Sequence, residues 1–299
     1  MTKPFSITWT VESLDGPLLL REFLKSKQLS KAALTDIKFH GGSLFVNGQE
    51  ESVRKKLTEG DIIKVVFPIE ERSSHMVPVD MPIDILFEDD HFLAVNKPPG
   101  IPTIPSRYQQ NGSLAQAVLY YYEHEGISGT FHAVNRLDRD TSGVVLIAKH
   151  RFAHSLLSLQ QTAGAYHRSY TAIVEGEVLE KKTIVAPIGR NPESIVERMV
   201  REDGQHAVTH VIPLMPLPEM GGTLVNLELE TGRTHQIRVH LSYMGHPLAG
   251  DDLYGGSKKW MNRQALHSTN AVFFHPFLEK LVEVSARLPD DMKCWIKEK

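Results

Sequence analysis

The sequence predicts an α+β fold: a large domain with a mainly antiparallel or mixed β-sheet core flanked by helices and loops, preceded by a small α+β unit. Three observations carry that expectation. Apolar runs of strand character at 92–95, 144–148, 170–174, 224–229 and 281–284 are interspersed with helical stretches near 113–123, 151–163 and 234–244. They lack the regular strand–helix–strand alternation of a doubly wound sheet. Residues 68–82 (PIEERSSHMVPVDMP) are rich in proline, serine and charge, and read as a linker. With 299 residues a two-domain chain is expected, divided as 1–75 and 76–299.

Within the first unit, Leu18, Leu19, Leu20, Phe23 and Leu24 lie at helical spacing, with Pro17 near the expected helix start. Ser30-Lys31 opens a second short helix through Ile37. Strands follow at 43–46 and 62–67, and Asn47-Gly48 after the first is a strong hairpin signal. Any small α+β domain could show this pattern. In the second unit, a charged loop at 135–143 (NRLDRDTSG) leads into the buried run 144–148. Loops on the rim of a sheet are common sites, although many are merely solvated.

The composition narrows the function. Apolar residues at 41% and charged residues at 23% are ordinary for a globular protein, which excludes disordered, collagenous and low-complexity classes. No apolar run approaches the ~20 residues of a membrane span, and the N-terminal MTKPFSITWTVES has no stretch of signal-peptide length. The single cysteine, Cys294, excludes an intramolecular disulfide and a cysteine-cluster metal site. A cytoplasmic, monomeric protein is expected. Net charge is −3, but 17–67 holds nine Lys or Arg against six Asp or Glu, and 130–170 and 231–263 each hold five against two. Three basic stretches on a near-neutral chain could form a face for nucleic acid, or an ordinary solvated surface.

A second chemistry-bearing segment, Thr231 to Leu241 (TGRTHQIRVHL), ends a strand and begins a helix near Thr234, a reasonable N-cap. Ile237, Leu241 and Met244 form that helix's apolar stripe, with Arg238 beside it. Arg233, His235 and Arg238 at a helix start make a ready anion site, for a phosphate or for a carboxylate of the protein. No metal is expected: His235 and His240 are five apart and lie on different helix faces. Asp138 and Asp140 lie too close in one loop to serve as the opposed carboxylates of a hydrolase. The stretch 254–263 (YGGSKKWMNR) reads either as an RNA-contact loop or as plain surface.

Two resemblances sharpen this reading. The first unit, two helices followed by short strands with "VNG" and "EGDIIKV", resembles the ribosomal protein S-four-like RNA-binding module. That resemblance implies phosphate contacts from Lys27, Lys31, Lys38, Arg54, Lys55 and Lys56. From about 83 to 288 the chain resembles the RluA-like branch of the RNA pseudouridine synthases, through "FEDDHFLAVNKPPG", "NRLDRDTSG", "HRSYTAIVEG", "TGRTHQIRVHLSYMGHPLAGDDLYG" and "LHSTNAVFFHP" in that order. The family's frequent His before "RLD" is Asn135 here.

The second resemblance implies a pseudouridine synthase fold and the isomerisation of uridine to pseudouridine in structured RNA, ribosomal or transfer, without cofactor. It implies that Asp138 is the carboxylate at C1′ of a flipped-out nucleotide, by covalent attack or through a glycal. Arg238 would keep that carboxylate ionised, and Tyr170 would stack on uracil and help move the C5 proton. Arg136, Arg139, Thr141, Arg233, His235 and Gln236 would bind the substrate. Lys97-Pro98-Pro99-Gly100 reads as a sheet-to-loop junction near the site, and "GDDLYG" as a structural turn.

Overall fold

The computed structural model of the protein describes residues 4–13, 16–73, 76–106 and 109–296. The expectations for residues 1–3, at the start of the N-terminal stretch, and for 74 and 75 of the linker lie outside the described residues. The first unit contains β1 (Ser6–Thr10), β2 (Leu18–Leu19), α1 (Leu20–Ser26), α2 (Lys31–Phe39), β3 (Ser43–Val46), β4 (Gln49–Glu50), β5 (Lys56–Leu57) and β6 (Ile62–Val66). Its main sheet runs β1-β6-β3-β4, and β2 pairs with β5.

Local chemistry sets most of these boundaries. Ser30 accepts the Ala33 N–H at 3.1 Å and caps α2. Asn47 and Gly48 take φ of 51° and 80°, the left-handed pair that a two-residue hairpin turn requires. One expectation shifts. Leu18 and Leu19 form a strand with Leu57 and Lys56 rather than helix, and α1 begins only at Leu20, where Glu22 accepts the Leu19 N–H.

The larger unit is built on β7 (Asp84–Glu88), β8 (Phe92–Lys97), α3 (Leu114–His124), β9 (His132–Ala133), β10 (Ser142–Ala148), α4 (Arg151–Thr162), β11 (His167–Glu175), β12 (Lys182–Val185), β13 (Ile188–Arg190), β14 (Arg198–Val200), β15 (Val208–Leu217), β16 (Gly222–Leu229), α5 (Gln236–Tyr243), β17 (Leu266–His275), β18 (Lys280–Ser285) and α6 (Asp290–Lys293). A ten-stranded sheet follows the order β12-β15-β16-β11-β17-β10-β8-β7, with β18 on β17 and β9 on β10. The sheet is mixed, as expected. Its pairings are antiparallel except for β10 with β17, which meet in parallel only at Ser142–His267 and Gly143–Ser268.

β10 is buried along its whole length and alternates between two cores. Val145 and Ile147 join the core under α3 and α5, while Val144, Leu146 and Ala148 join the one under α4. The first unit is docked rather than tethered. Phe152 and Phe277 of the large unit pack into the first unit's core, and Phe5 stacks on His150 at 3.8 Å between ring centres. The linker is also tied down: Arg72 donates to the Gly129 carbonyl, and Glu70 accepts from Thr130 and from the Arg151 N–H. Among the described residues no helix is long and apolar enough to cross a membrane.

Candidate active site

The loop expected to carry chemistry precedes β10 and is held from several sides. Thr103 donates its hydroxyl to the Leu137 carbonyl and accepts the Leu137 N–H. Lys97 is completely buried, and its Nζ donates to the carbonyls of Pro98, Ile101 and Arg139 at 2.8–3.0 Å. Burial pushes this amine down to about 7. Arg263 donates to the Asp140 carbonyl. Asn135, in the position where the resembled family often has His, is spent on structure. It accepts the Leu146 N–H and the Tyr166 hydroxyl and donates to the Val144 carbonyl, fastening the loop to β10.

So held, the loop presents Asp138 to a cavity of about 1000 Å³ whose lining includes Arg136, Arg139, Arg168, Tyr170, Arg233, His235 and Arg238. Asp138 Oδ2 lies 3.1 Å from Arg238 Nη1 and 3.7 Å from His235 Nε2. Its side chain is 28% exposed, open enough for a ligand to reach. Arg238 in turn makes a two-pronged pair with Asp251, Nε to Oδ2 at 2.7 Å and Nη2 to Oδ1 at 2.8 Å. Burial alone would lower the guanidinium's affinity for its proton, but the bonds to Asp251 and the charges of Asp138 and Asp251 raise it further above its ordinary range. Arg238 stays charged. Its Cζ sits 4.8 Å from the centre of the Tyr254 ring, and the Tyr254 hydroxyl bonds His235 Nδ1 at 2.7 Å.

The helix start differs from expectation. His235, not Thr234, is the N-cap of α5, in a left-handed conformation with φ of 57°. Gln236 occupies the first turn: its Oε1 accepts from Thr231 and from the Arg233 N–H, and its Nε2 donates to the Val208 carbonyl and the Thr209 hydroxyl. Burial holds His235 below its ordinary range, so the imidazole is neutral at pH 7.

The expected site residues therefore fall into groups. Asp138, Arg238 and Tyr170, which is 4% exposed, share the cavity, as do His235 and the exposed Arg136, Arg139 and Arg233. Arg139 is paired with Asp140. Thr141 and Gln236 are buried and engaged with the protein, Thr141 accepting from Gln264. On the first unit Lys27, Lys31, Lys38, Arg54 and Lys56 are exposed, and Lys55 is paired with Glu51. Reading the sequence alone missed Asp251. The only signal was its place in "GDDLYG", which gave no hint that it meets an arginine 13 positions earlier in the chain. It also missed how Lys97 holds the loop. Trp260 packs edge-on against Trp295, so part of the 254–263 stretch is anchored rather than free.

Residues 91–243 match the family described as RNA pseudouridylate synthase, a span that includes the Asp138 loop, Tyr170 and Arg238. The chain belongs to that family. Its reaction class is the isomerisation of uridine in RNA to pseudouridine. Among curated relatives, an uncharacterized RNA pseudouridine synthase of Bacillus subtilis, YjbO, is 48% identical over 94% of this chain and 99% of its own. The ribosomal large subunit pseudouridine synthase D of Xanthomonas campestris is 35% identical, covering 84% of this chain and 80% of its own. Among solved structures, human RNA pseudouridylate synthase domain containing 1 superposes with a TM-score of 0.59 at 25% identity, over 73% of this chain and 86% of that one.

Proposed function

We propose that this RNA pseudouridine synthase acts on structured RNA, large-subunit ribosomal RNA in the first instance, with Asp138 working at C1′ of a flipped-out uridine. The observation that carries the reading is the Asp138–Arg238–Asp251 chain of charges on the wall of a cavity large enough for a nucleotide. When the C1′–N1 bond breaks, positive charge builds at C1′ and the electron pair stays on uracil. A fixed carboxylate against the sugar lowers the energy of that state, either through the field of its charge or by forming a bond to C1′. After the base turns, C5 joins C1′, on the covalent route displacing the carboxylate with its electron pair; the C5 proton departs and N1 gains one, so the product is an isomer of the substrate.

Arg238 aims the carboxylate, and Asp251 fixes Arg238. Tyr170 offers a ring to the uracil and a hydroxyl for proton movement. Exposed Arg136, Arg139 and Arg233 meet phosphates at the mouth, whereas Thr141 and Gln236 shape the wall. The first unit, residues 1–75, extends the docking surface through Lys27, Lys31, Lys38, Arg54, Lys55 and Lys56. The relative named for the ribosomal large subunit supports that choice of RNA. The test is Asp138→Asn. It should bind RNA normally and release no tritium from RNA carrying [5-3H]uridine, and substantial residual release would overturn the assignment.

A further inference from the structure

Arg168 lies on β11 two residues before Tyr170, and both side chains are buried on the cavity face while His167 and Ser169 between and before them are not. The residue is only 7% exposed, yet among the described residues its Nε has no hydrogen-bond partner. The acids that line the same cavity are engaged elsewhere: Asp138 with Arg238, Asp140 with Arg139 and Asp252 with Lys258. What Arg168 does touch cannot neutralise it. Its Cζ stands 5.2 Å from the centre of the Tyr166 ring, and the backbone of Gly232 crosses its tip. A Cβ at Gly232 would lie 3.1 Å from Arg168 Nη1, so only the bare glycine leaves the guanidinium uncrowded at this edge of the cavity lining.

A buried guanidinium cannot shed its proton, so an arginine left without a counter-ion is unfavourable until an anion arrives. The fork of N–H groups matches two oxygens of a phosphate. A uridine that leaves its stack brings its own backbone into the cavity mouth, and Arg168 stands beside the ring that receives the base. We propose that Arg168 binds a backbone phosphate flanking the flipped uridine, and that its charge is left unpaired in the free protein for this contact. This rests on the reading of Asp138 and Tyr170 given above. It separates Arg168 from Arg136, Arg139 and Arg233. Those exposed arginines attract any RNA, whereas a buried one engages only a nucleotide already drawn in.

The test uses the shortest RNA stem-loop from which the wild-type enzyme releases tritium, made also with a neutral methylphosphonate at the 5′ or the 3′ phosphate of the target uridine. Arg168→Gln and Arg168→Met should lower kcat/KM on the ordinary RNA by roughly 10- to 100-fold, the range for a hydrogen bond to a charged group. Arg168→Lys, a point charge without the fork, should fall between these variants and wild type. Because an uncompensated charge has been removed, Arg168→Met should melt at the same temperature as wild type or higher. On one of the two methylphosphonate RNAs, wild type and Arg168→Gln should react equally. An undiminished deficit on both neutral RNAs, no deficit on ordinary RNA, or a melting temperature lowered by several degrees in Arg168→Met would each overturn the proposal. Failure of the underlying reading would show separately, as tritium release by Asp138→Asn.

Discussion

Arg238 stands between two carboxylates, and their shares of the work can be separated at Asp251. Asp251 is 1% exposed and holds Arg238 by two short charge-assisted bonds, at 2.7 and 2.8 Å, whereas Asp138 takes only Nη1 at 3.1 Å. Asp251→Asn keeps the shape of the side chain, but removes the charge and turns one acceptor into a donor facing the guanidinium. Removing one partner of a buried ion pair costs about 3–5 kcal/mol. Asp138 remains as a second counter-charge, so the lower end, about 3 kcal/mol, applies here. At roughly 2–4 °C per kcal/mol the melting temperature should fall by about 6–12 °C. Arg238 loses the anchor that aims it, and a misplacement of about 1 Å at a reacting group can cost ~100-fold. Tritium release should therefore drop at least ~10-fold in kcat, with RNA affinity near normal. Asp252→Asn is the internal control, since its 66% exposed side chain is ion-paired with Lys258 on the surface and its loss should change little. Equal rates and melting temperatures for Asp251→Asn and wild type would refute the anchoring argument.

Two further predictions concern the supports of the site. Lys97→Met removes the donor shared by three carbonyls, including that of Arg139 in the Asp138 loop; at ~1 kcal/mol or more for each acceptor left unpaired, urea unfolding should show a loss of about 3 kcal/mol. Full stability in that variant would mean the loop is held without Lys97, by Thr103, Asn135 and Arg263 among others. The second concerns acid. Burial lowers His150 to about 3 and His267 to about 4, whereas an unfolded histidine titrates near 6.5. Between pH 6.5 and those values the unfolded chain binds the extra protons, so stability rises with pH and is lost on acidification, by up to ~1.4 kcal/mol per pH unit for each histidine. His150→Gln should flatten that slope in urea titrations between pH 4 and 6.5, and an unchanged slope would assign the acid sensitivity to other groups.

What could be read from the sequence was local. The Ser30 cap, the Asn47-Gly48 turn, the apolar runs and the charged loop before β10 all declare themselves within a few residues. The start of α5 did not, because Thr231, Val208 and Thr209 engage Gln236 and the cap passes to His235 in an unusual backbone conformation. Composition marked 68–82 as a spacer. Yet Glu70 and Arg72 are bonded to the large unit, and Phe5 and Phe67 stack on His150 and Phe152 across it. Whether a charge is paired is likewise a tertiary fact. Nothing in the strings around Lys97, Arg168 or Asp251 distinguishes a buried loop clamp, an uncompensated cation and an arginine's anchor.

The position of Asp138 follows from the one parallel contact in the sheet. β10 and β17 touch over only two residue pairs before each turns to other partners, β10 to β8 and β9, β17 to β11 and β18. The Asp138 loop enters β10 at this contact and lines the cavity there. Gly143 makes the contact possible. Its φ is 111°, and a Cβ would lie 2.2 Å from the Ser268 carbonyl oxygen, so no other residue brings the two strands this close. The segment entering β17 then clamps the loop entering β10, through Arg263 on the Asp140 carbonyl, Gln264 on Thr141 and His267 on Ser142. The "DTSG" that closes the charged motif is thus the hinge of the sheet as well as the end of the loop. Asp138 is carried to the cavity because the residues that join the two halves of the sheet lie four and five positions after it in the chain.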